Sequence, residues 1–235
     1  MLHRTISGRI AYTSRKAGRE GEERGREAFT ITIHNDGSRV MRALCEIEEP
    51  APTVLRDVTC SFGPDDMPTD AFVRLMLGDS FLGAGLFRVV DGGVECESFG
   101  PGIGRVSQRF ILAGAFEGLG MHPISTDAFM LKQMDRNKGP HGRVVRFIVP
   151  SSDHRGAGPP LIGEASMRLD YLGHEAVAVP AGNFAASHFR LSDPDDLAHP
   201  EYDIWVTADE DAIFLKGGVG GYMQTWYELV ELTPR

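Results

Sequence analysis

The sequence predicts a mainly β protein: a large antiparallel sheet, strongly curved or closed into a barrel, with one or two short helices. Apolar and polar residues alternate with a period of two along most of the 235 residues. Clusters of Gly, Pro, Asn and Asp recur between the alternating segments, and only one segment has helical periodicity. Strands joined by short turns pair antiparallel, because parallel pairing needs long crossovers.

The alternation defines strands that are separated by turn-forming residues such as Asn35-Asp36-Gly37. The predicted strands are residues 27–34, 39–47, 53–62, 71–77, 85–90, 105–112, 143–149, 166–171, 183–191, 202–207, 212–215 and 222–232. Residues 1–8 also begin directly with a strand-like pattern. The helical segment is residues 123–134, in which Ser125, Thr126 and Asp127 are candidates to open a short helix. Such a sheet would close as a calycin-like barrel or remain a half-barrel.

Two polar segments rich in Gly and Pro, residues 132–142 and 151–160, interrupt the pattern and are predicted to be loops. They could separate two meandering halves, residues 1–131 and 143–235. We expect one domain over residues 1–235, because a sheet edge left open on either half would promote aggregation.

Composition argues against several classes of protein. The net charge is −9 and basic residues do not cluster, so nucleic-acid binding is not expected. Apolar runs are too short for a membrane helix. The first residues have no features of a leader, which predicts a cytoplasmic protein. Cys45, Cys60 and Cys96 have no CxxC spacing, so we expect reduced thiols.

Arginines occupy positions that alternate with apolar residues. Arg56, Arg74 and Arg88 are of this kind. A guanidinium on an apolar face needs a carboxylate, a path to solvent or an anionic ligand. One interpretation is therefore a cavity for an anion, with these residues binding it. The other is that they lie on wet strand faces, paired with carboxylates such as Asp57 or Asp70.

Aromatic residues concentrate in the C-terminal third. Trp205, Tyr222 and Trp226 are candidates to line a ligand cavity, because Tyr222, Gln224 and Trp226 share a face that is more polar than a closed core. Solvent-facing cross-strand pairs would produce the same pattern.

The histidines provide candidates for acid–base chemistry. No HExxH, CxxC or HxH motif occurs, so no metal site is expected. His122, five residues before Asp127, and His188, in a strand, suit a general acid or base best. His154 and His199 are predicted to be exposed. The glycine tracts match no GxGxxG or Walker motif and no GxSxG elbow occurs, so no cofactor is expected.

Residues 179–191 (VPAGNFAASHFRL) and 202–232 (YDIWVTADEDAIFLKGGVGGYMQTWYELVEL) resemble a strand and turn pattern of uncharacterised bacterial half-barrel proteins that are similar to lipoprotein-localisation factors. The resemblance implies a curved antiparallel sheet that holds a hydrophobic ligand in its concave face. Those relatives are usually exported, whereas no leader is recognised here.

These observations lead to three functional hypotheses. The first is intracellular binding of a small hydrophobic or aromatic molecule, which can carry negative charge, in a β-barrel cavity. The second is a cofactor-independent lyase, isomerase or hydratase, with His122 or His188 transferring a proton, Tyr222 or Arg88 stabilising negative charge and Asp127 orienting a histidine. The third is a partner-binding module. A homodimer is expected in each case.

Overall fold

The computed structural model of the protein describes residues 3–112, 117–151, 153, 155–193 and 200–234. Within these residues the chain forms fifteen β-strands and one α-helix. The strands are β1 His3–Ser14, β2 Glu23–His34, β3 Arg39–Ile47, β4 Val54–Phe62, β5 Pro68–Leu77, β6 Ser80–Val90, β7 Gly93–Gly100, β8 Gly104–Ile111, β9 Gly118–Leu119, β10 His141–Val149, β11 Gly163–Val179, β12 Gly182–Ser192, β13 Tyr202–Thr207, β14 Phe214–Val219 and β15 Thr225–Pro234. The helix α1 spans Ile124–Leu131 and lies between β9 and β10.

All strands belong to one large, open, curved sheet, which confirms the predicted fold class. The strand order is β8-β7-β6-β5-β4-β3-β2-β1-β15-β14-β13-β12-β11-β10-β9. Consecutive strands therefore pair with each other, except that β8 and β9 lie at opposite edges of the sheet. The first and last strands pair in the middle, with Ile6 opposite Pro234. Among the described strands, only the short β9 pairs in parallel, with β10.

The two faces of the sheet differ as the alternation predicts. In β4 the side chains of Val54, Arg56 and Val58 are buried, whereas Asp57 between them is exposed. The buried side chains of both halves of the sheet form a single hydrophobic cluster, which also contains residues of α1. We call this side the inner face. The Phe129 ring of α1 stacks on Phe62 of β4 with 4.3 Å between the ring centroids, so the helix packs on the inner face.

The helix is held at its N-terminus by a side chain from β2. Pro123 precedes α1 and provides no side-chain cap. Instead Glu27, which is 0% exposed, accepts hydrogen bonds from the backbone N–H of Ile124 (2.8 Å) and of Ser125 (3.0 Å). A carboxylate at this position satisfies N–H groups that a helix leaves open and complements its dipole. The predicted helical segment is thus confirmed, but Ser125, Thr126 and Asp127 lie inside the first turn.

Several strands differ from the sequence prediction. Strands β7 and β9 were not among the predicted strands, β11 continues to Val179 beyond the predicted end at residue 171, and β14 continues through Gly217 and Gly218 beyond the predicted end at residue 215. The extension of β14 has a steric reason. A Cβ atom at Gly217 would lie 2.8 Å from the ring of Tyr202, and one at Gly218 would collide with the ring of Trp226. The glycines allow the two rings to cover the strand.

The segment between β10 and β11 connects distant parts of the sheet. The backbone N–H of Ile162 donates to Oε1 of Gln108 in β8 (2.9 Å), and the Ser98 hydroxyl in β7 donates to the carbonyl of Pro160 (2.5 Å). Because β7 and β8 lie at the opposite end of the strand order from β10, these contacts show that the curved sheet brings its two ends together.

The three cysteines are free and buried, in agreement with the expectation of reduced thiols. Burial raises the pKa of each thiol. Within the described part of the chain, no helix has the length and apolar character needed to cross a membrane.

Candidate functional site

Two adjoining cavities open on the inner face around the N-terminal end of α1. The first has a volume of about 210 Å³ and the second a volume of about 370 Å³. Four residues line both cavities: His122, Ile124, Met223 and Tyr227. The two cavities therefore adjoin each other. The residues that they share lie around the start of α1 and around the start of β15.

The first cavity is basic. Its lining includes the side chains of Lys16, Arg24, Arg56 and Arg155, and a single carboxylate, that of Glu49, among the described residues. Hydrogen bonds from Arg19 and Lys16 lower the pKa of Glu49 to about 2. Four cations thus face one anion in this cavity, and its surroundings favour a negatively charged occupant.

Arg24 reaches the inner face through an irregularity of β2. Tyr12 pairs with Gly25 and Thr13 pairs with Glu23, so that Arg24 is the extra residue of a β-bulge. Its side chain is buried, with Nη1 donating to the carbonyl of Met223 (2.7 Å). A Cβ atom at Gly25 would collide with the carbonyl oxygen of Glu46, so the bulge depends on this glycine.

Arg56 is the most deeply buried cation of the cavity, with 1% of its surface exposed. Its Nη2 donates to the backbone carbonyl of Arg155. No described residue accepts a hydrogen bond from its Nε. A buried charge with an unused donor is costly unless a ligand or water accepts the bond.

The backbone of Gly156 brings Arg56 and His122 together. A Cβ atom at Gly156 would lie 2.7 Å from the His122 ring and 2.9 Å from the Arg56 guanidinium carbon, and the residue has φ of +61°. Only glycine combines this conformation with this close packing. His122 itself has φ of 71°, an uncommon conformation for a residue with a side chain.

The second cavity is mostly apolar. Its apolar lining includes Met130, Phe147, Val149, Met167, Leu191 and Val219. Asp127, Asp153 and Glu164 are also among its lining residues, the Glu164 carboxylate being paired with Arg146 (2.6 Å), and no Lys or Arg is among its described lining residues. Burial, and next the charge of Glu27, raise the pKa of Asp127 well above its usual range. An anion is therefore disfavoured here.

Tyrosines connect the two cavities. The Tyr12 hydroxyl donates to Oε2 of Glu27 (2.7 Å), and its ring meets the ring of Tyr227 edge-on at 4.9 Å. Tyr202 packs against the other side of Tyr227 at 6.0 Å. Burial raises the pKa of Tyr227 to about 12, so its hydroxyl is neutral at ordinary pH and presents a hydrogen-bond donor to either cavity.

The fold has a counterpart among solved structures. The chain is similar to a β-barrel-like protein of domain of unknown function DUF1849 from Brucella abortus, with a TM-score of 0.61 and 10% sequence identity over 100% of this chain and 98% of that chain. At this identity the likeness shows the fold alone. A putative exported protein with a YmcC-like fold from Bacteroides fragilis is similar over 97% of this chain and 95% of its own, with a TM-score of 0.32 and 9% identity.

No protein-family model and no curated protein matches the chain. The barrel-like neighbour agrees with the resemblance to uncharacterised half-barrel proteins. The link to lipoprotein-localisation factors stays a prediction.

The structure places four of the predicted site residues at the cavities. Arg56 lines the first cavity, Asp127 lines the second, and His122 lines both. Tyr222, with 57% of its surface exposed, lies at the rim of the first cavity. Arg56 lies in β4, Asp127 lies in α1, His122 lies just before α1, and Tyr222 lies in the turn before β15. The curvature of the sheet brings these distant segments together.

The other predicted site residues lie on the opposite face. His188 alternates with Phe189, which is in the core, and its ring stacks on Trp205 at 4.1 Å. The two His188 ring nitrogens contact Asp203 (2.9 Å) and Glu175 (3.2 Å). This cluster lines neither cavity, and its role in function stays a prediction.

Trp226, Arg74 and Arg88 also point away from the cavities. The Trp226 ring lies between the cations of Arg15 and Lys216, at 4.2 Å and 4.3 Å from its centroid. Arg74 and Arg88 are exposed and alternate with buried residues. Arg74 pairs with Asp57 at 3.7 Å, as the alternative interpretation of the sequence expected.

Sequence reasoning missed Arg24, Glu27 and Tyr227. Gly25, directly after Arg24, was the available signal of a bulge. Tyr227 is next to Trp226 in β15 and points to the opposite face, and the sequence analysis selected Trp226 as the candidate for the cavity. Among the described residues, no group of three or more His, Cys, Asp or Glu side chains could hold a metal ion. His154 and His199 lie outside the described residues.

Proposed function

We propose that the protein binds a small hydrophobic or aromatic molecule in the two cavities of the inner face. The observation that carries this proposal is the pair of adjoining cavities, which lie on the buried face of the sheet and are lined by apolar groups and a few polar ones. Small-molecule sites in proteins typically have this composition and lie in the mouths of barrel-like sheets.

The buried polar groups support a specific occupant over a packing defect. A void in a core is usually lined by apolar groups, because buried polar groups need partners. Here Arg24, Arg56 and Arg155 line the first cavity, and the Arg56 Nε has no acceptor among the described residues. A negatively charged occupant would offset the cost of burying these cations.

Native mass spectrometry of the purified protein, before and after denaturation, tests the proposal. We expect a co-purifying molecule, or added N-phenyl-1-naphthylamine as an apolar probe, at one per chain. Met167→Trp should weaken probe binding because the larger side chain takes up part of the second cavity. Ser166→Trp is the matched control, since Ser166 is exposed on the other face of β11.

Retention of the probe by Met167→Trp with unchanged affinity would place the binding elsewhere and overturn the proposal. Binding of neither a co-purifying molecule nor the probe would do the same.

A second candidate function is cofactor-independent proton transfer in the same cavities. The contact of Gly156 with both Arg56 and His122 favours it, because a histidine base beside a guanidinium suits reactions that develop negative charge. His122 would transfer the proton, and Arg56 would stabilise the charge.

Incubation of the protein with the molecule it binds distinguishes this function from binding alone. A change in the ligand's mass or structure that disappears in His122→Ala, with affinity retained, would support catalysis. An unchanged ligand after long incubation would leave binding as the function.

A further inference from the structure

The two cavities have opposite chemistry, and this contrast specifies the ligand further. The first holds the cations of Lys16, Arg24, Arg56 and Arg155 against one carboxylate. The second, larger cavity is apolar and carries carboxyl groups. A single molecule that fills both must therefore have two chemically different ends.

We propose that the ligand is an amphipathic anion, with a carboxylate or phosphate group in the basic cavity and an aliphatic or aryl-aliphatic chain in the apolar cavity. This inference rests on the proposed binding function and adds its ligand class and orientation. The acid group would meet the chain at the residues that line both cavities, which are His122, Ile124, Met223 and Tyr227.

The charges of the first cavity suit an acid group. Taking an acid group out of water costs free energy. Buried cations offset this cost when they have unused hydrogen-bond donors. Arg56 is 1% exposed and its Nε has no acceptor within the described part of the chain. Arg24 is also buried, and its Nε lies 3.7 Å from Glu49, beyond a hydrogen bond. The bidentate geometry of guanidinium matches carboxylate and phosphate.

The second cavity excludes the reverse orientation. An acid group there would meet the carboxyl groups of Asp127 and Asp153, without a lysine or arginine among the described lining residues. The Glu164 carboxylate forms a salt bridge with Arg146 (2.6 Å), so this arginine already has an acidic partner. Apolar side chains such as Met130, Met167 and Phe147 provide contact for a chain instead.

Isothermal titration calorimetry with ligands of one chain length tests the acid group. The probes are decanoate, decyl phosphate, decanol and decylammonium, each added to the delipidated full chain. We expect the two acids to bind at least tenfold more tightly than decanol, and decylammonium to bind most weakly. Intrinsic fluorescence is a poor readout here, because Trp205 and Trp226 both point away from the cavities.

A variant pair assigns the acid group to the first cavity. Arg56→Met should reduce the affinity for decanoate to that for decanol, and leave decanol binding unchanged. Arg42→Met is the matched control, because Arg42 is exposed on the outer face of β3. If Arg56→Met does not fold, the comparison of the four ligands on the unmodified protein still decides the question.

A chain-length series from hexanoate to tetradecanoate tests the second cavity. Affinity should rise about fourfold per added methylene until the cavity is full. In Met167→Trp the rise should stop at a shorter chain, and in Ser166→Trp it should not change.

The outcomes separate the two proposals. Equal affinity for decanol or decylammonium and the acids would overturn the amphipathic anion and leave the binding function intact. An affinity independent of chain length would likewise overturn the placement of the chain. If the protein binds none of the ligands and no apolar probe, both proposals are overturned.

Discussion

Two buried carboxyl groups beside α1 illustrate how the surroundings of a residue determine its role. Glu27 accepts hydrogen bonds from Tyr12, from the Ser125 hydroxyl and from two backbone N–H groups, so both of its carboxyl oxygens have partners. Asp127, in the first turn of the helix, lines the apolar cavity, and burial and then the charge of Glu27 raise its pKa. The same chemical group anchors a helix in one place and has a raised pKa in the other.

The raised pKa of Asp127 makes stability depend on pH in a defined direction. In the unfolded chain this carboxyl ionises near 3.8, whereas in the folded protein it keeps its proton to higher pH. Its contribution to the free energy of unfolding is therefore present at low pH and is lost as the pH rises. The Asp127→Asn variant does not lose this contribution as the pH rises. Above pH 4 its free energy of unfolding should therefore increase relative to that of the wild type, by up to about 1.4 kcal/mol per pH unit.

Urea unfolding of both proteins between pH 4 and 8 measures this difference. Asp135→Asn is the control with the opposite sign, because a hydrogen bond from the Asn137 backbone lowers the pKa of that exposed carboxyl. Parallel stability curves for Asp127→Asn and wild type would contradict the prediction.

At the scale of strands, glycines determine where aromatic rings can lie. Gly218 pairs with Trp226 across β14 and β15, and the indole ring occupies the space that a side chain on Gly218 would need. The ring is further held by Arg15 and Lys216. The strand therefore continues through a glycine tract that would otherwise be a turn.

Gly218→Ala should reduce the free energy of unfolding by about 1–3 kcal/mol, because the new methyl group collides with the ring of Trp226. Gly220→Ala is the control: its Cβ would meet nothing within 4 Å, so the change should stay within about 0.5 kcal/mol. In a Trp226→Leu background the cost of Gly218→Ala should shrink. Equal costs for the two glycines in urea unfolding would disprove the steric explanation.

The limits of sequence reasoning also lie at the level of strands. Alternation found most strands and placed Arg56 correctly on an apolar face. It could not decide which face of the C-terminal strands is concave, so Trp205 and Trp226 were chosen where Tyr202 and Tyr227 line the cavities. That choice depends on the curvature of the whole sheet, which no local pattern contains.

Irregular positions set a second limit. Arg24 lies on the inner face because a bulge interrupts the alternation of β2, and a strict period of two assigns it to the other side. Likewise, the cap of α1 comes from Glu27, far away in sequence, and not from the residues that precede the helix.

At the scale of the whole molecule, the open sheet is bridged by the segment that crosses between its ends. The hydrogen bond from Ile162 to Gln108 joins this segment to β8, the strand at one edge of the sheet. Gln108 thus contributes to closure without any pairing of strands. The predicted homodimer would be a further way to cover edges, and both it and the cytoplasmic location stay predictions.

Gln108→Ala should increase hydrogen exchange of the Ile162 amide about fivefold, because the loss of one part-buried hydrogen bond lowers the free energy of local opening by about 1 kcal/mol. Ser107→Ala is the control, since that hydroxyl bonds Glu97 on the exposed face. Exchange measured by NMR or mass spectrometry should be unchanged there. An Ile162 amide that exchanges equally in both variants would show that the bridge does not depend on Gln108.

The pairing of the first and last strands has a consequence for how the chain folds. Most ladders join consecutive strands and can form locally, but Arg9 of β1 and Glu231 of β15 are 222 positions apart. Closing so long a loop is entropically costly and slows folding, so the two halves of the sheet should form before they join. Tyr12 and Tyr227 meet across this seam and line the cavity. A ligand of this cavity would therefore find its complete site only in the fully folded protein, and its binding would stabilise that state.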